Sequence, residues 1–196
     1  MYRLLLLDDE EIVTRGIQKV FDLEKAGFQV VGTFQNPQKA LESLPDLQPD
    51  LMITDIKMPQ MSGLEFATKA RELLPESEIV ILSGYGDFGF AQSAVKIGVS
   101  DYLLKPIKKD DFQQMLDTMY AKLSEKRSQK QQADAMALFL KNSYTELKNR
   151  FFLSLVEENV FDEKLYQTLQ VHHTLDIFDT DFILIKVDFD QAYLQG

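Results

Sequence analysis

Four apolar runs in this chain each lead directly into side chains that could do chemistry. The run at 4–7 ends in Asp8 and Asp9, and the run at 51–54 ends in Asp55. The run at 78–82 ends in Ser83, and the run at 101–104 ends in Lys105 and Pro106. Carboxylates drawn together repel one another, so three of them share a site only with a cation among them. Oxygen donors without His or Cys favour Mg²⁺, held by one or two carboxylates, water and a phosphate group. The chemistry this predicts is metal-assisted phosphoryl transfer. The two histidines, His172 and His173, are neighbours with no third ligand near them, and read as a surface pair before a turn.

These motifs converge only if the chain folds so that the runs end side by side. The runs at 2–7, 28–34, 51–54, 78–82 and 101–104 are apolar throughout, which suits parallel strands covered on both faces. Between them, 11–25, 38–44, 64–74 and 88–97 carry helical spacing. Asn36-Pro37, and Ser62 followed by Glu65, supply start signals. Five β/α repeats result, and in such a sheet ligands gather beyond the carboxyl ends of the strands, where all four motifs fall. Each residue has a plainer role open to it. Asp8 could cap the helix near Glu11, Ser83-Gly84 could be a turn, and Tyr102 could be a core aromatic.

Composition narrows the function classes. At 196 residues, the chain fits one full domain and something smaller. A hydrophobic share of 45% is enough to bury a core. The formal charge of 21 − 31 = −10 repels a phosphate backbone, so nucleic acid is not an expected ligand of this chain itself. With no cysteine, disulfides and thiolate metal sites are excluded. No stretch reaches the roughly 20 apolar residues of a membrane span, and the apolar start turns acidic instead of continuing as a signal sequence. The expectation is a cytoplasmic protein that does not engage a membrane.

A last helix of the repeat starts near Asp110, and no Pro or Gly follows between Pro106 and Gly196. The first domain is expected to close by residue 123. With Leu116 at position a, a heptad runs through Met119, Leu123, Lys126, Lys130, Ala133, Ala137, Leu140, Tyr144, Leu147 and Phe151. That register predicts a helical linker over 124–157 that could form a coiled coil; if the helix starting near Asp110 is continuous to Val156, it would be about 70 Å long at 1.5 Å per residue. The polar patch 124–132 leaves open two helices joined by a solvated linker. Beyond it, 163–169 reads as a helix and 182–189 as an apolar strand with no partner strand in the chain. Such an edge needs a neighbour, so 158–196 is expected to be part of a second, α+β domain that stops short.

The motifs together resemble the receiver domains of two-component response regulators over roughly 1–123. They are L-L-L-L-D-D-E at 4–10, I-T-D-I-K-M-P at 53–59 with S-G at 62–63, I-L-S-G-Y at 81–85 and D-Y-L-L-K-P at 101–106. The resemblance implies a five-stranded, parallel, doubly wound, flavodoxin-like α/β fold. It makes Asp55 the phosphoacceptor, fed by a sensor histidine kinase. Mg²⁺ would be held by Asp9, Asp55 and the Lys57 backbone carbonyl, with Asp8 acting through water. Lys105 would pair with the phosphoryl oxygens, its position set by a cis bond to Pro106. Ser83 would swing toward the phosphoryl group while the Tyr102 ring fills the space it leaves. One hydrogen bond to a charged group contributes about 1.5–3 kcal/mol, whereas a full population shift needs about 5.5 kcal/mol, so dimerisation through 108–151 is expected to share the task.

The stretches 83–88 and 94–106, with N-R-F-F-L-S-L-V at 149–156, look like regulators bearing an AraC-type DNA-binding output domain. The paired helix-turn-helix motifs of that output are absent from this sequence, so DNA contact is expected only through a domain outside it. Two other classes compete. A haloacid-dehalogenase phosphatase would need Asp-x-Asp after the first strand, where Asp8-Asp9-Glu10 stands. A flavodoxin-like cofactor binder would need a first loop that accepts a phosphate, and this one is acidic.

Overall fold

The computed structural model describes residues 1–84, 96–157 and 162–171. In chain order these form β1 (Tyr2–Leu7), α1 (Glu11–Val20), β2 (Phe28–Phe34), α2 (Pro37–Leu47), β3 (Leu51–Asp55), α3 (Gly63–Leu73), β4 (Glu78–Ser83), β5 (Asp101–Leu104), α4 (Lys109–Glu157) and α5 (Glu163–Val171). The strands form one sheet in the order β2-β1-β3-β4-β5, every pairing parallel. Two compact units divide the chain, Met1–Lys130 and Gln131–Gly196.

The apolar runs are strands because the sheet is buried on both sides and successive residues face opposite layers. Leu4, Leu6, Leu51, Ile53, Val80 and Leu82 join Ile17 and Phe21 of the α1 side and Phe112, Met115, Leu116, Met119 and Leu123 of α4. Leu5, Leu7, Met52 and Ile79 face the other way, onto Ala40, Leu41 and Leu44 of α2 and Phe66, Ala67 and Ala70 of α3. Each large buried side chain contributes roughly 1.5–3 kcal/mol. The two layers hold the strand ends level at the carboxyl edge.

The expected helix starts are present with their side-chain bonds. Asn36 Oδ1 accepts the N–H groups of Gln38 and Lys39 ahead of Pro37, and Ser62 and Glu65 form a reciprocal capping box. The helix expected over 11–25 ends earlier, at Val20. Phe21 and Leu23 leave the helix to enter the core, Asp22 Oδ1 accepts the Lys25 N–H, and Gly27 turns the chain at φ +90°. The helix expected over 88–97 is described only at its last two residues, and the strand expected over 182–189 and the pair His172-His173 lie outside the described residues.

Of the two readings of the linker, a single helix from Lys109 to Glu157 is the one observed. Its heptad positions are not equivalent. Leu116, Met119 and Leu123 are buried in the first unit. In the second unit, Phe151 is buried with Tyr166 and Leu169 of α5, and Tyr144, Leu147, Phe152 and Leu165 pack around them.

Candidate functional site

Asp8 follows β1, Asp55 and Ser83 end β3 and β4, and Lys105 follows β5, so parallel pairing brings all four to one edge of the sheet. Lys105 is at their centre. Its Nζ lies 2.7 Å from Asp8 Oδ2 and also contacts Asp55 Oδ1. The second oxygen of each carboxylate is held by backbone. Asp8 Oδ1 accepts the Glu10 N–H at 3.0 Å, and Asp55 Oδ2 accepts the Lys57 N–H at 2.7 Å. Asp8 is only 1% exposed, and burial pushes its carboxyl above the usual range, with the Lys105 ammonium recovering only part of that rise. Burial pulls the Lys105 ammonium down, but its bonds to Asp55 and Asp8 outweigh that and raise it.

The cation that the clustered carboxylates require is therefore supplied within the chain by Lys105. The pairing expected of Lys105 was with phosphoryl oxygens; with no phosphoryl group at the site, its ammonium contacts the two carboxylates directly. Asp9 is exposed, and among the described residues no three acidic or imidazole groups converge tightly enough to hold an ion. The donor set nonetheless fits Mg²⁺ in kind: hard oxygens only, with Asp8 held in an unfavourable charged form that a second cation would relieve.

The backbone around these side chains is tightly specified. The Lys105-Pro106 bond is cis, and the Lys105 N–H donates to Ser83 O at 2.6 Å. This ties the ends of β4 and β5 together. Thr54, fully buried, donates its hydroxyl to Asp55 O at 3.0 Å. Asp8 is not the cap of α1, which begins after Glu10 without a side-chain bond. Ser83 is fully buried, with Oγ 3.3 Å from Gly84 O. The Tyr102 ring packs against Ile56 and Ile81 beside Leu64 and Val99, and its hydroxyl is buried with no hydrogen-bond partner among the described residues.

One charged cluster escaped sequence reasoning. At the opposite edge of the sheet, Glu78 is 2% exposed yet ionised. Lys122 Nζ reaches its Oε2 at 2.6 Å, the Ser100 hydroxyl meets the same oxygen, and Lys126 Nζ lies 2.6 Å from Oε1 as an ion pair without hydrogen-bond alignment. Burial pushes the Glu78 carboxyl up, and these partners override it, holding the carboxyl at about 2. An acid at the head of an otherwise apolar strand, with two lysines four apart on a helix, was the only signal.

A family model of the response regulator receiver domain matches residues 4–117. The transcriptional regulatory protein YesN of Bacillus subtilis is 39% identical over 123 residues, covering 63% of this chain and 33% of that protein. The transcriptional regulatory protein HptR of Staphylococcus aureus is 27% identical over 173 residues, covering 86% of this chain and 66% of that protein. Among solved structures, the receiver domain of AraT, a response regulator from Geobacillus stearothermophilus, superposes with a TM-score of 0.57 at 35% identity, over 66% of this chain and 98% of that one. The chain thus spans from a third to two thirds of the length of these curated relatives.

Proposed function

Because the chain belongs to the response regulator receiver family, we propose that it works as the phosphoacceptor module of a two-component phosphorelay, with Asp55 as the residue that takes up and later loses the phosphoryl group. The observation that carries this reading is the Lys105 ammonium held 2.7 Å from Asp8 and in contact with Asp55. In-line phosphoryl transfer needs mainly positioning and charge stabilisation, and a fixed ammonium beside the nucleophilic carboxylate supplies both. An Asp55 oxygen attacks phosphorus, the bond to the donor's leaving group breaks, and Lys105 turns from the carboxylates to the new phosphoryl oxygens. Hydrolysis later restores the carboxylate, so the chain assists its own reaction and has no separate substrate to turn over.

Asp9, Asp55 and the Lys57 carbonyl would hold Mg²⁺, with Asp8 acting through water; when bound, the ion would neutralise charge between the carboxylates and the phosphoryl oxygens. Ser83 and Tyr102 would read the new charge. Ser83 is buried at the end of the strand beside Asp55, and the Tyr102 hydroxyl is buried with no hydrogen-bond partner among the described residues, which supports a rearrangement around both.

The donor would be a sensor histidine kinase and the setting cytoplasmic. Among the described residues no helix is long and apolar enough to cross a membrane. The receiver would occupy 1–123, the helical linker 124–157 and a partial second domain 158–196. The signal would leave through α4 toward an output that regulates transcription, proposed to be of the AraC type; the relatives named as transcriptional regulatory proteins support a transcriptional output. Dimerisation through 108–151 would centre on the exposed Met136, Leu138, Phe139 and Leu140, because Leu116, Met119 and Leu123 toward one end and Phe151 at the other are buried within the units.

Incubation with acetyl phosphate and Mg²⁺, followed by intact mass, tests the reading. A single phosphoryl addition that disappears in Asp55→Asn is expected. Continuous release of phosphate with no adduct would overturn it.

A further inference from the structure

We infer that Gly63 is a positioning residue for the reaction at Asp55, required because the first turn of α3 docks directly on the Asp55 peptide. An added Cβ at Gly63 would lie 2.0 Å from Asp55 O, and 3.0 Å from both Asp55 C and Ile56 Cα. These are backbone atoms, so no side-chain rotation relieves the overlap; either Asp55 or the start of the helix has to move. The same residue closes the intervening loop, since its N–H donates to Ile56 O at 2.9 Å. Ser62 and Glu65 then fasten that turn through the capping box. Residues 56–62 are thus a loop returning to its own origin, pinned where its first and last peptides touch.

The loop carries the atoms the chemistry uses. The Lys57 N–H orients Asp55 Oδ2 at 2.7 Å, and the Lys57 carbonyl is the backbone oxygen proposed for Mg²⁺. Asp55 Oδ1 is meanwhile held by Lys105. Displacing the Asp55 peptide by even a fraction of an ångström moves the nucleophile relative to two groups on other elements. Reaction rates are sensitive to misplacement on that scale. Gly63 touches neither the phosphoryl group nor the metal; it acts through the peptide it abuts. The inference rests on the phosphoacceptor reading of Asp55.

The test compares the full chain with Gly63→Ala and Ser62→Ala. Ser62→Ala unfastens the same helical turn but adds no Cβ beside Asp55, so it controls for loss of helix stability. Labelling by acetyl phosphate is followed by intact mass, and the Mg²⁺ midpoint is read from thermal unfolding without any phosphodonor. The expectation is a folded Gly63→Ala chain by circular dichroism, labelled at least tenfold more slowly, with its Mg²⁺ midpoint raised at least threefold. Ser62→Ala should melt earlier yet label within about threefold of the unmodified chain. Labelling of Gly63→Ala at the normal rate would overturn the inference, as would equal slowing in both variants. So would failure of Gly63→Ala to fold, which would make Gly63 a requirement of the fold itself. If the unmodified chain takes no phosphoryl group, the phosphoacceptor reading falls and this inference falls with it.

Discussion

Lys126 Nζ lies 2.6 Å from Glu78 Oε1, which places an ion pair between α4 and the first residue of β4, at the far end of the strand from Ser83. With Lys122 and Ser100, it holds an ionised carboxylate where burial alone would protonate it. The folded carboxyl titrates at about 2 against an ordinary 4.5. A carboxyl depressed on folding adds stability that is complete above the unfolded value and is lost as pH falls through the folded one. Stability should therefore decline between about pH 4.5 and pH 2 by roughly 1–3 kcal/mol on account of this group, a range lowered because both lysines are partly exposed. Glu78→Gln should flatten that limb in urea unfolding measured across pH. An unchanged acid limb would count against the pairing.

Asp8 should show the opposite sign. Its folded carboxyl lies above the ordinary 3.8, burial being the main cause. The unfolded chain then releases its proton first, so ionised Asp8 costs stability as pH rises above that value. Asp8→Asn should raise the melting temperature at pH 7 while slowing phosphoryl uptake. Mg²⁺ should stabilise the unmodified chain more than this variant, and chelation should abolish the difference. A lower melting temperature for Asp8→Asn would refute the sign.

Removing the ammonium leaves two adjacent carboxylates without their cation. Lys105→Met should retain labelling of Asp55 only at a rate reduced by at least tenfold, measured by intact mass. It should also lose the response that follows labelling.

Ser83→Ala separates uptake from readout. The variant should still gain one phosphoryl group, but beryllofluoride should no longer shift its association state in light scattering. A lost hydrogen bond to a charged group corresponds to about 1.5–3 kcal/mol, enough to reduce the shift tenfold or more. Phe139→Glu with Leu140→Glu should weaken association at least as much without touching labelling, since both side chains are more than half exposed on α4.

The sheet was legible in the sequence because its signal is local. Runs such as Leu4–Leu7 are apolar throughout only when both faces are covered, and the strand-end acids and Lys105 fall where that pattern stops. The exact role of Lys105 was less legible, because its contact with Asp8 joins residues 97 apart and depends on how near the strand ends come. Glu78 was missed for the same reason: Lys122 is 44 residues away, and lysines four apart on a helix ordinarily mark a solvated face. Heptad spacing is ambiguous at its start for a different reason. Leu116, Met119 and Leu123 satisfy a coiled-coil pattern while packing into their own sheet, and periodicity does not distinguish a partner helix from a domain's own core.

The burial of those same residues decides where this protein can be cut. The family match ends at residue 117, yet Met119 and Leu123 lie inside the core and Tyr120 sits edge-on against Tyr2 at 5.4 Å. A fragment ending at 117 would open a greasy trough along the sheet and strand Glu78 without its lysines. It should aggregate or melt well below a fragment ending at 130, as calorimetry of the two would show. Likeness to relatives marks how far evolution kept the letters alike, whereas the scissors have to follow the last side chain that the core needs.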